Sequence, residues 1–502
     1  MNGITTAETL ALVKDALANG QPDTLGKAIT TATGLVAYDL QPSAKNLYPA
    51  ATPIRNVLPR VGGGTGTATN WRQVNAIIGS GWDAMGWVPE GQRSGRMSYN
   101  TSTRSASYAT VGEEDSVTFE AVSAAQGFED IQATATMRLL QKMMLKEENA
   151  FIGGNGSLQL GTPATPSLSA SGSGGSLTAA TYSVIVVALT YEGYRNSSLA
   201  SGVATTKSIT GADGNSFTLN GGSSAPSANA TQAVTSGQTL YATVTASVGA
   251  VGYAWFVGAA GSEKLQAITT INSAAFSAPL ATTSQAASTV TADSSANPGL
   301  AYDGLLTSAL KSSSGAYVDY LGTGTAGTGT AGTGTPLTAS GRGSVNEIDQ
   351  MLEKMWDLYE VSPTVLYVNS QEQRNITNKV LNASSSPILR YTTDGQDPFA
   401  IVANGVVEYY YNPFALDGGY KIPVKIHPFV PAGTILGWAE NLPAQYQSSN
   451  VPNVAEVKTR RDYYRMDWPL KTRAYEFGVY AEEVLAVYAP FAMGVISNIA
   501  NG

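Results

Sequence analysis

The chain has 502 residues, a formal net charge of −8, a single histidine and no cysteine. The missing cysteines exclude disulfides, zinc–thiolate sites and cysteine nucleophiles. The acidic balance disfavours a strongly basic nucleic-acid binder, whose phosphate affinity comes from Lys and Arg. Charged residues are only 13% of the chain, about half the usual share, as on a surface largely covered by partners.

Length alone leaves room for roughly two to four domains. No apolar stretch approaches the roughly 18 residues of a membrane-spanning helix. The N-terminus lacks the basic and apolar regions of a signal peptide, so synthesis in a cytoplasm and no membrane partner are expected. Residues 5–20 carry Leu10, Val13 and Leu17 at helical spacing, with Gly20 as a stop. Residues 21–70 hold Pro22, Pro42, Pro49, Pro53 and Pro59, then Gly62, Gly63, Gly64 and Gly66. Such a segment is extended and reads as an arm wrapping over other subunits.

From Gly91 the run GQRSGRMSYNTSTRSASYATVGEEDSVTFEAV is polar, β-leaning and almost free of core residues. Residues 80–112 contain Trp82, Trp87, Met97, Tyr99 and Tyr108 but no aliphatic cluster. Two arms of about 15 residues at ~3.3 Å each predict a hairpin roughly 50 Å long. A two-stranded hairpin is marginal alone in water, so this one is expected to lie on a neighbouring copy. Candidate inter-subunit contacts are Trp82, Trp87, Arg93, Arg96 and Arg104 along the hairpin, with Glu113, Glu114, Asp115, Glu129 and Asp130 opposite. Arg–carboxylate pairs across an interface fix its register. The acidic run 113–115 reads as a solvated or inter-subunit face ahead of a divalent-cation site.

Phe128, Ile131, Ala135, Leu139 and Met143 recur every three or four residues, predicting a helix from near Gly127 to about Phe151, stopped by Gly153 and Gly154. Composition then changes. The charged residues of 163–298 are limited to Glu192, Arg195, Lys207, Asp213, Glu263, Lys264 and Asp293. Strand patterns at 181–190, 216–220, 238–246, 252–258 and 265–271, separated by turns, predict a β-sandwich. Tyr182, Val184, Val186 and Ala188 share one strand face there, and Trp255 suits a core plug.

The repeat GTGTAGTGTAGTGT (322–335) has nothing to bury and reads as a flexible surface loop. Ser344 and Glu347 form a capping-box pattern ahead of a helix with Val345, Ile348, Leu352, Met355 and Tyr359 on one face. TVLYV (364–368) reads as a buried strand and 370–383 as a second helix, and strands alternate with turns from 405 onward. The mixture interrupted by the sandwich predicts an α+β chain with one domain inserted in another.

Catalytic signatures are absent. His427, beside a proline in a strand, reads as structural, and no serine lies in a G-x-S-x-G context. A single histidine rules out a metal site built on histidines. The stretch GGGTGTAT (62–69) lacks the Lys-Ser/Thr ending of a phosphate loop. Glycosidase chemistry needs two positioned carboxylates, which the sequence does not single out. Trp82, Trp87 and Trp438 read as packing anchors ahead of sugar platforms. No catalytic, cofactor-binding or metal residue is assigned, and no enzyme activity is expected.

The segments WVPEGQRSGRMSY, VTFEAV and IQATATMRLLQKMMLKEENAFIGGNGS resemble the major capsid proteins of tailed phages, the HK97-like fold. AYDGLL, SVNEIDQMLEKMW, SPTVLYVNSQEQRNI, IPVKIHPFVPAGTILGWAE and YEFGVYAEEVLAVYAPFA follow in that family's order. The resemblance covers about 1–160 and 299–502. It implies an N-terminal arm (1–60), an E-loop with its flanks (61–112, the loop itself about 78–112), a P domain with its spine helix (113–162), an A domain (299–440) and a return to the P domain (441–502). Residues 163–298 look like an immunoglobulin- or fibronectin-III-like domain inserted after the spine helix and facing outward.

By the same resemblance, copies form hexamers and pentamers that close an icosahedral shell around packaged double-stranded DNA, touched weakly and non-specifically. A portal, and scaffolding or decoration proteins, are the further partners implied. The place implied is the virion capsid, assembled in the cytoplasm of a bacterial host. Some relatives cross-link an E-loop lysine to a neighbour's asparagine. Here no lysine lies between Lys45 and Lys142, so a non-covalent shell is expected. If residue 1 begins the mature chain, scaffolding is expected as a separate protein or not at all. Alternatives are an encapsulin-like nanocompartment shell and a β-rich phage tail or adhesin protein.

Overall fold

The computed structural model describes residues 49–79, 86–127, 129–172, 174–322, 334–340, 343–381, 407–415, 418–443, 446 and 453–502. The helix expected at 5–20, Trp82, Phe128 and most of the Gly-Thr repeat lie outside them.

Helix α1 (Pro53–Val57) and the short strand β1 (Arg60–Val61) open the described chain. Strands β2 (Ala68–Ile78) and β3 (Ser98–Ser107) pair antiparallel as a two-stranded hairpin. Strand β4 (Ala109–Thr118) leads into α2 (Phe119–Ala124) and the long α3 (Ile131–Gly153). The next section holds β5 (Ser167–Ser171), β6 (Ala180–Leu189), α4 (Tyr191–Asn196), β7 (Thr206–Thr210) and β8 (Ser216–Asn220). It continues with β9 (Ala230–Val234), β10 (Thr239–Thr243), β11 (Gly252–Gly258), β12 (Lys264–Thr269) and β13 (Ser273–Phe276). After it come α5 (Leu305–Leu310), β14 (Tyr317–Tyr320), α6 (Asn346–Tyr359), β15 (Val365–Val368), α7 (Ser370–Leu381) and β16 (Tyr409–Asn412). Strands β17 (Tyr420–Ile426), β18 (Ile435–Trp438), β19 (Ala455–Asp467), β20 (Ala474–Val487) and β21 (Met493–Ser497) complete the α+β chain.

A four-stranded sheet, β1-β19-β20-β4, carries α3 on one face. The Asp130 side chain accepts the Ala133 amide at 3.1 Å and caps α3. Its stripe of Ala135, Leu139 and Met143 buries against Val117 of β4 and Phe477, Val479 and Ala481 of β20. Its glycine end serves close approach: a Cβ on Gly153 would meet the Tyr191 ring at 2.2 Å, and one on Gly154 the Tyr302 carbonyl at 2.6 Å. The run VTFEAV departs from the β-leaning expectation. Thr118 accepts the Ala121 amide and starts a helix there, which turns the chain from the sheet edge onto α3.

A mixed six-stranded sheet, β14-β21-β18-β15-β17-β16, forms the second unit. Ile348, Met351, Leu352 and Met355 of α6 cover one face. The other face packs Tyr367, Leu436, Trp438 and Val495 toward α5 and the end of α3. The expected capping box is corrected. Val345 is the N-cap, with no side-chain cap. Ser344 donates instead to Asp349 at 2.5 Å, and Glu347 accepts the Thr338 amide through both oxygens. The expected return of 441–502 to one unit is also divided. Strands β19 and β20 lie in the four-stranded sheet, but β21 pairs with β14 and β18 in the six-stranded one. Every residue of its run MGVIS is buried, as in a strand covered on both faces.

Residues 163–298 hold two antiparallel sheets, β13-β10-β5 and β12-β11-β6-β9, stacked on each other, and a two-stranded ribbon of β7 and β8. Tyr182, Val184, Val186 and Ala188 face inward with Leu240, Phe276 and Trp255. Trp255 is fully buried, and its indole N–H donates to Thr269 at 2.9 Å. The outer face of β6 and β11 is covered as well, Val187, Leu189, Ala254 and Phe256 packing under Ala287 and Val290.

Candidate assembly surface

The hairpin begins at Ala68, ten residues before the expected E-loop start of 78, and its register runs from Ala68↔Ser107 to Ile78↔Ser98 with an irregularity between Val74 and Ala76. Cross-strand partners share a face, so Val74, Ile77 and Tyr99 lie on one side. They are 59%, 69% and 63% exposed. Arg72 sits on this side too, its guanidinium reaching Thr101 at 3.3 Å. The other side holds Trp71, Gln73 and Arg104, which border a cleft of about 340 Å³ with Asp303 and Lys311. Trp71 meets Tyr488 edge-on at 5.2 Å. The root is therefore seated on the body, while Val74, Ile77 and Tyr99 of the outer strand face are left exposed by the described residues.

Trp87, at 87% exposure, stands in the open, as do Arg93 and Arg96, while Arg104 is exposed at the edge of the cleft. Trp82 lies outside the described residues. The acidic candidates fall elsewhere and are partly engaged within the chain. Glu113 pairs with Lys146, and Glu114 accepts the Tyr480 hydroxyl. Glu129 accepts Thr134 Oγ1 at 2.8 Å and Asp130 caps α3. Asp115 is exposed and binds only the next amide, at 2.8 Å. No ion pair joins the hairpin arginines to these acids among the described residues. The two sets are separate surfaces of one chain.

Sequence reading missed a buried polar node where residues 53–61 cross the end of α3. Glu148 accepts the Ile54 and Arg55 amides at 2.9 and 2.7 Å and so caps α1. It also meets His427 Nε2 at 2.5 Å, while His427 Nδ1 accepts the Phe429 amide. The single histidine is thus a buried structural group. Glu147 receives Arg55 Nε at 2.6 Å, Arg60 at 3.4 Å and the Tyr463 hydroxyl. Arg60 continues to Asp462 at 2.7 Å and Glu483 at 3.0 Å, and Tyr302 donates to Glu483 at 2.9 Å. Burial, then the Glu147 charge, pushes the Glu483 carboxyl up to about 8 against the opposing pull of Arg60. Burial and the same two carboxylates raise the Tyr302 phenol well above its ordinary value. A signal for the node exists in the sequence. Glu147 continues the buried i+4 stripe Ala135–Leu139–Met143, and Glu483 the inward alternation Phe477–Val479–Ala481.

A second cleft, of about 440 Å³, separates α3 from the β-sandwich and is bordered by Lys146, Glu192 and Arg195. Burial lowers the Lys146 ammonium and raises the Glu192 carboxyl. Beside it the Tyr191 hydroxyl donates to Asn149 at 2.9 Å. Among the described residues no group of three or more His, Cys, Asp or Glu could hold a metal ion, and no helix is long and apolar enough to cross a membrane.

No family model matches the sequence, and no curated protein matches it. Among solved structures, the chain is similar to the capsid of a native GTA particle at 10% identity and a TM-score of 0.40, over 95% of this chain and all of that one. It is similar to the capsid of Myoviridae phage XM1 at 9% identity and a TM-score of 0.39, over 94% of this chain and all of that one. It is also similar to the holo-SrpI encapsulin complex from Synechococcus elongatus PCC 7942 at 9% identity and a TM-score of 0.39, over 94% of this chain and 96% of that one. Likenesses of this strength fix neither fold nor function.

Proposed function

We propose that this chain is the major capsid protein of a tailed phage, with an HK97-like fold. The observation that carries the reading is the hairpin of β2 and β3. A two-stranded ribbon is marginal alone in water, and Val74, Ile77 and Tyr99 form an apolar stripe that the described residues leave exposed. The occupant that fits is the body of another copy. The described charges of the hairpin are Arg72, Arg93, Arg96 and Arg104 against Glu90, whereas Asp115 and Asp130 are exposed acids of the body, and Glu120, exposed too, pairs with Arg473 at 2.6 Å. Among the described residues none of these acids pairs with a hairpin arginine. Association of this heterologous kind builds rings and closed shells.

In this reading the E-loop is 68–107, the P domain combines the four-stranded sheet with α3 as spine helix, and the A domain is built on the six-stranded sheet. The sandwich at 163–298 is an immunoglobulin-like decoration on the outer surface. Copies form hexamers and pentamers around double-stranded DNA, with a portal and further assembly proteins as partners, in a virion built in a bacterial cytoplasm. The shell is held by geometry and interfaces, with no catalytic role.

Negative-stain microscopy with sedimentation velocity of the recombinant chain tests the reading. Shells or hexameric rings are expected. A monomer at high concentration, alone and beside co-expressed phage assembly proteins, contradicts it. Particles that enclose protein cargo instead of DNA in an infected cell would favour the encapsulin-like alternative.

A further inference from the structure

The last two strands of the six-stranded sheet reach past the body. Strand β17 lies between β15 and β16, and β16 is the free edge. Side chains alternate between the two faces of a strand, so the register sorts them. Tyr410, Ile422 and Val424 point to the α6 side and are buried with Ile348 and Leu352. On the opposite face Tyr367 of β15 belongs to the body core, but the residues beyond it do not. Lys425 lies next to Tyr367, its ammonium 5.9 Å from the ring centre. Tyr409 and Tyr411 lie next to Pro423 and Lys421 and are 58% and 60% exposed. Lys421 and Lys425 are exposed as well. The result is a ledge of two phenol rings, a proline and two ammonium groups that the described residues leave largely open. Helix α6 carries a matching surface. Its inner face is Ile348, Met351, Leu352 and Met355. Its outer face, at helical spacing, is Gln350, Glu353, Lys354, Asp357 and Leu358, all exposed, with Leu358 at 65%. Among the described residues no ion pair engages Glu353, Asp357, Lys421 or Lys425.

We propose that the ledge of β16 and β17 receives the outer face of α6 from a second copy of this chain. The inference deepens the shell reading and rests on the chain being a self-assembling subunit. Charge complementarity names the occupant: Leu358 flanked by two carboxylates fits two tyrosine rings flanked by two ammonium groups. Burial of Leu358 and the rings supplies attraction, and the opposite charges set orientation and partner choice. The two surfaces lie on opposite faces of one sheet, with the sheet standing between them, so the contact joins different copies. Each copy therefore offers one surface and receives the other. Head-to-tail contact of this kind propagates and closes into a ring where the rotation per copy allows. It is separate from the contact of the hairpin, whose apolar stripe lies on β2 and β3.

The chain has no cysteine, so thiols placed in it react only where they are put. Gln350→Cys sets one on the outer face of α6 and Tyr409→Cys sets one on the ledge, and both leave Leu358 and the four charges in place. The two full-length variants are mixed and treated with a flexible bismaleimide. Products are mapped by mass spectrometry, and the same mixture is followed by sedimentation and negative-stain microscopy. A dimer linked from 350 to 409 is expected in the mixture and in neither variant alone, and a ladder of linked oligomers in the doubly substituted chain. Lys421→Glu with Lys425→Glu in the ledge chain sets like charges face to face and is expected to lower the yield about tenfold. Glu353→Lys with Asp357→Lys in the other chain is expected to restore it, an outcome that misfolding does not produce. Rings or shells without the 350–409 product overturn this contact and leave the shell reading standing. Absence of both product and assembly overturns both. The product without rings or shells supports the contact and counts against the shell. A 350–409 link confined to single chains, or a yield unmoved by charge reversal, overturns the contact.

Discussion

His427 and Glu148, 279 residues apart in sequence, meet in the interior at 2.5 Å. The contact ties the loop after β17 to the last turns of α3, and through Glu148 to the amides of α1. One carboxylate therefore joins both halves of the chain to the segment that precedes the hairpin. Removing one partner of a buried pair leaves the other without compensation, which costs about 3–5 kcal/mol. His427→Ala and Glu148→Ala are each expected to lose that much in denaturant titrations. A double variant should lose much less than the sum, because the two residues act together.

Gly153 lies under the Tyr191 ring, and a methyl group there would meet ring atoms at 2.2 Å. Gly153→Ala is expected to cost about 1–3 kcal/mol through overpacking and to loosen the seat of the β-sandwich on α3. Faster proteolysis at the connections near 160 and 298, with the two sheets of the sandwich intact, is the outcome that checks it.

Trp255 plugs the sandwich between its two sheets, in a core separate from those of the body. Trp255→Ala is expected to cost about 3–5 kcal/mol and to melt the sandwich first. Calorimetry should then show an early transition belonging to 163–298 and a later one close to the wild-type position.

Stability as a whole should fall from pH 5 to pH 8. Burial raises the carboxyls of Glu192, Glu372 and Asp319, and raises Glu483 to about 8. A raised carboxyl contributes stability that is whole below its unfolded value, near 4.5, and lost as pH rises through its folded value. Asp213, held low by hydrogen bonds from Asn215, and Glu482, held low by Arg460, work the other way. Asp213 is exposed and Glu482 is half-buried beside Arg460, and both act only as pH falls below the ordinary carboxyl range. Melting temperature measured at pH 5, 6.5 and 8 is expected to decline, and Glu483→Gln should flatten the decline.

Much of this was legible in the sequence because burial writes periodicity. The alternation of Tyr182, Val184, Val186 and Ala188 sits on one face of β6 as its spacing indicates, Trp255 fills the sandwich, and the stripe Val345, Ile348, Leu352 and Met355 faces the six-stranded sheet. The outgoing arm of the hairpin fell partly in the extended segment 21–70 and otherwise in the flank of the expected loop, because most of ATNWRQVNAII is exposed. A ribbon whose outer face meets no core has no inside to write an alternation. The helix at 119–124 was hidden because its capping threonine follows a strand without a break. Glu147 and Glu483 were passed over because carboxylates on apolar stripes signal partners that only the folded chain brings together. The candidate arginines and acids proved to lie on different surfaces, a relationship that distance along the chain cannot express.

The central claim is that the outer face of the hairpin holds copies together. The direct test compares the wild-type chain with the triple variant Val74→Ser, Ile77→Ser, Tyr99→Ser by negative-stain microscopy and sedimentation. All three side chains are exposed, and surface substitutions of this kind change stability by about 0.5 kcal/mol or less each, so the melting curve should hardly move. The account predicts rings or shells from the wild type and dispersed small species from the variant. Equal assembly of both chains, or dispersed wild type under every condition, contradicts it.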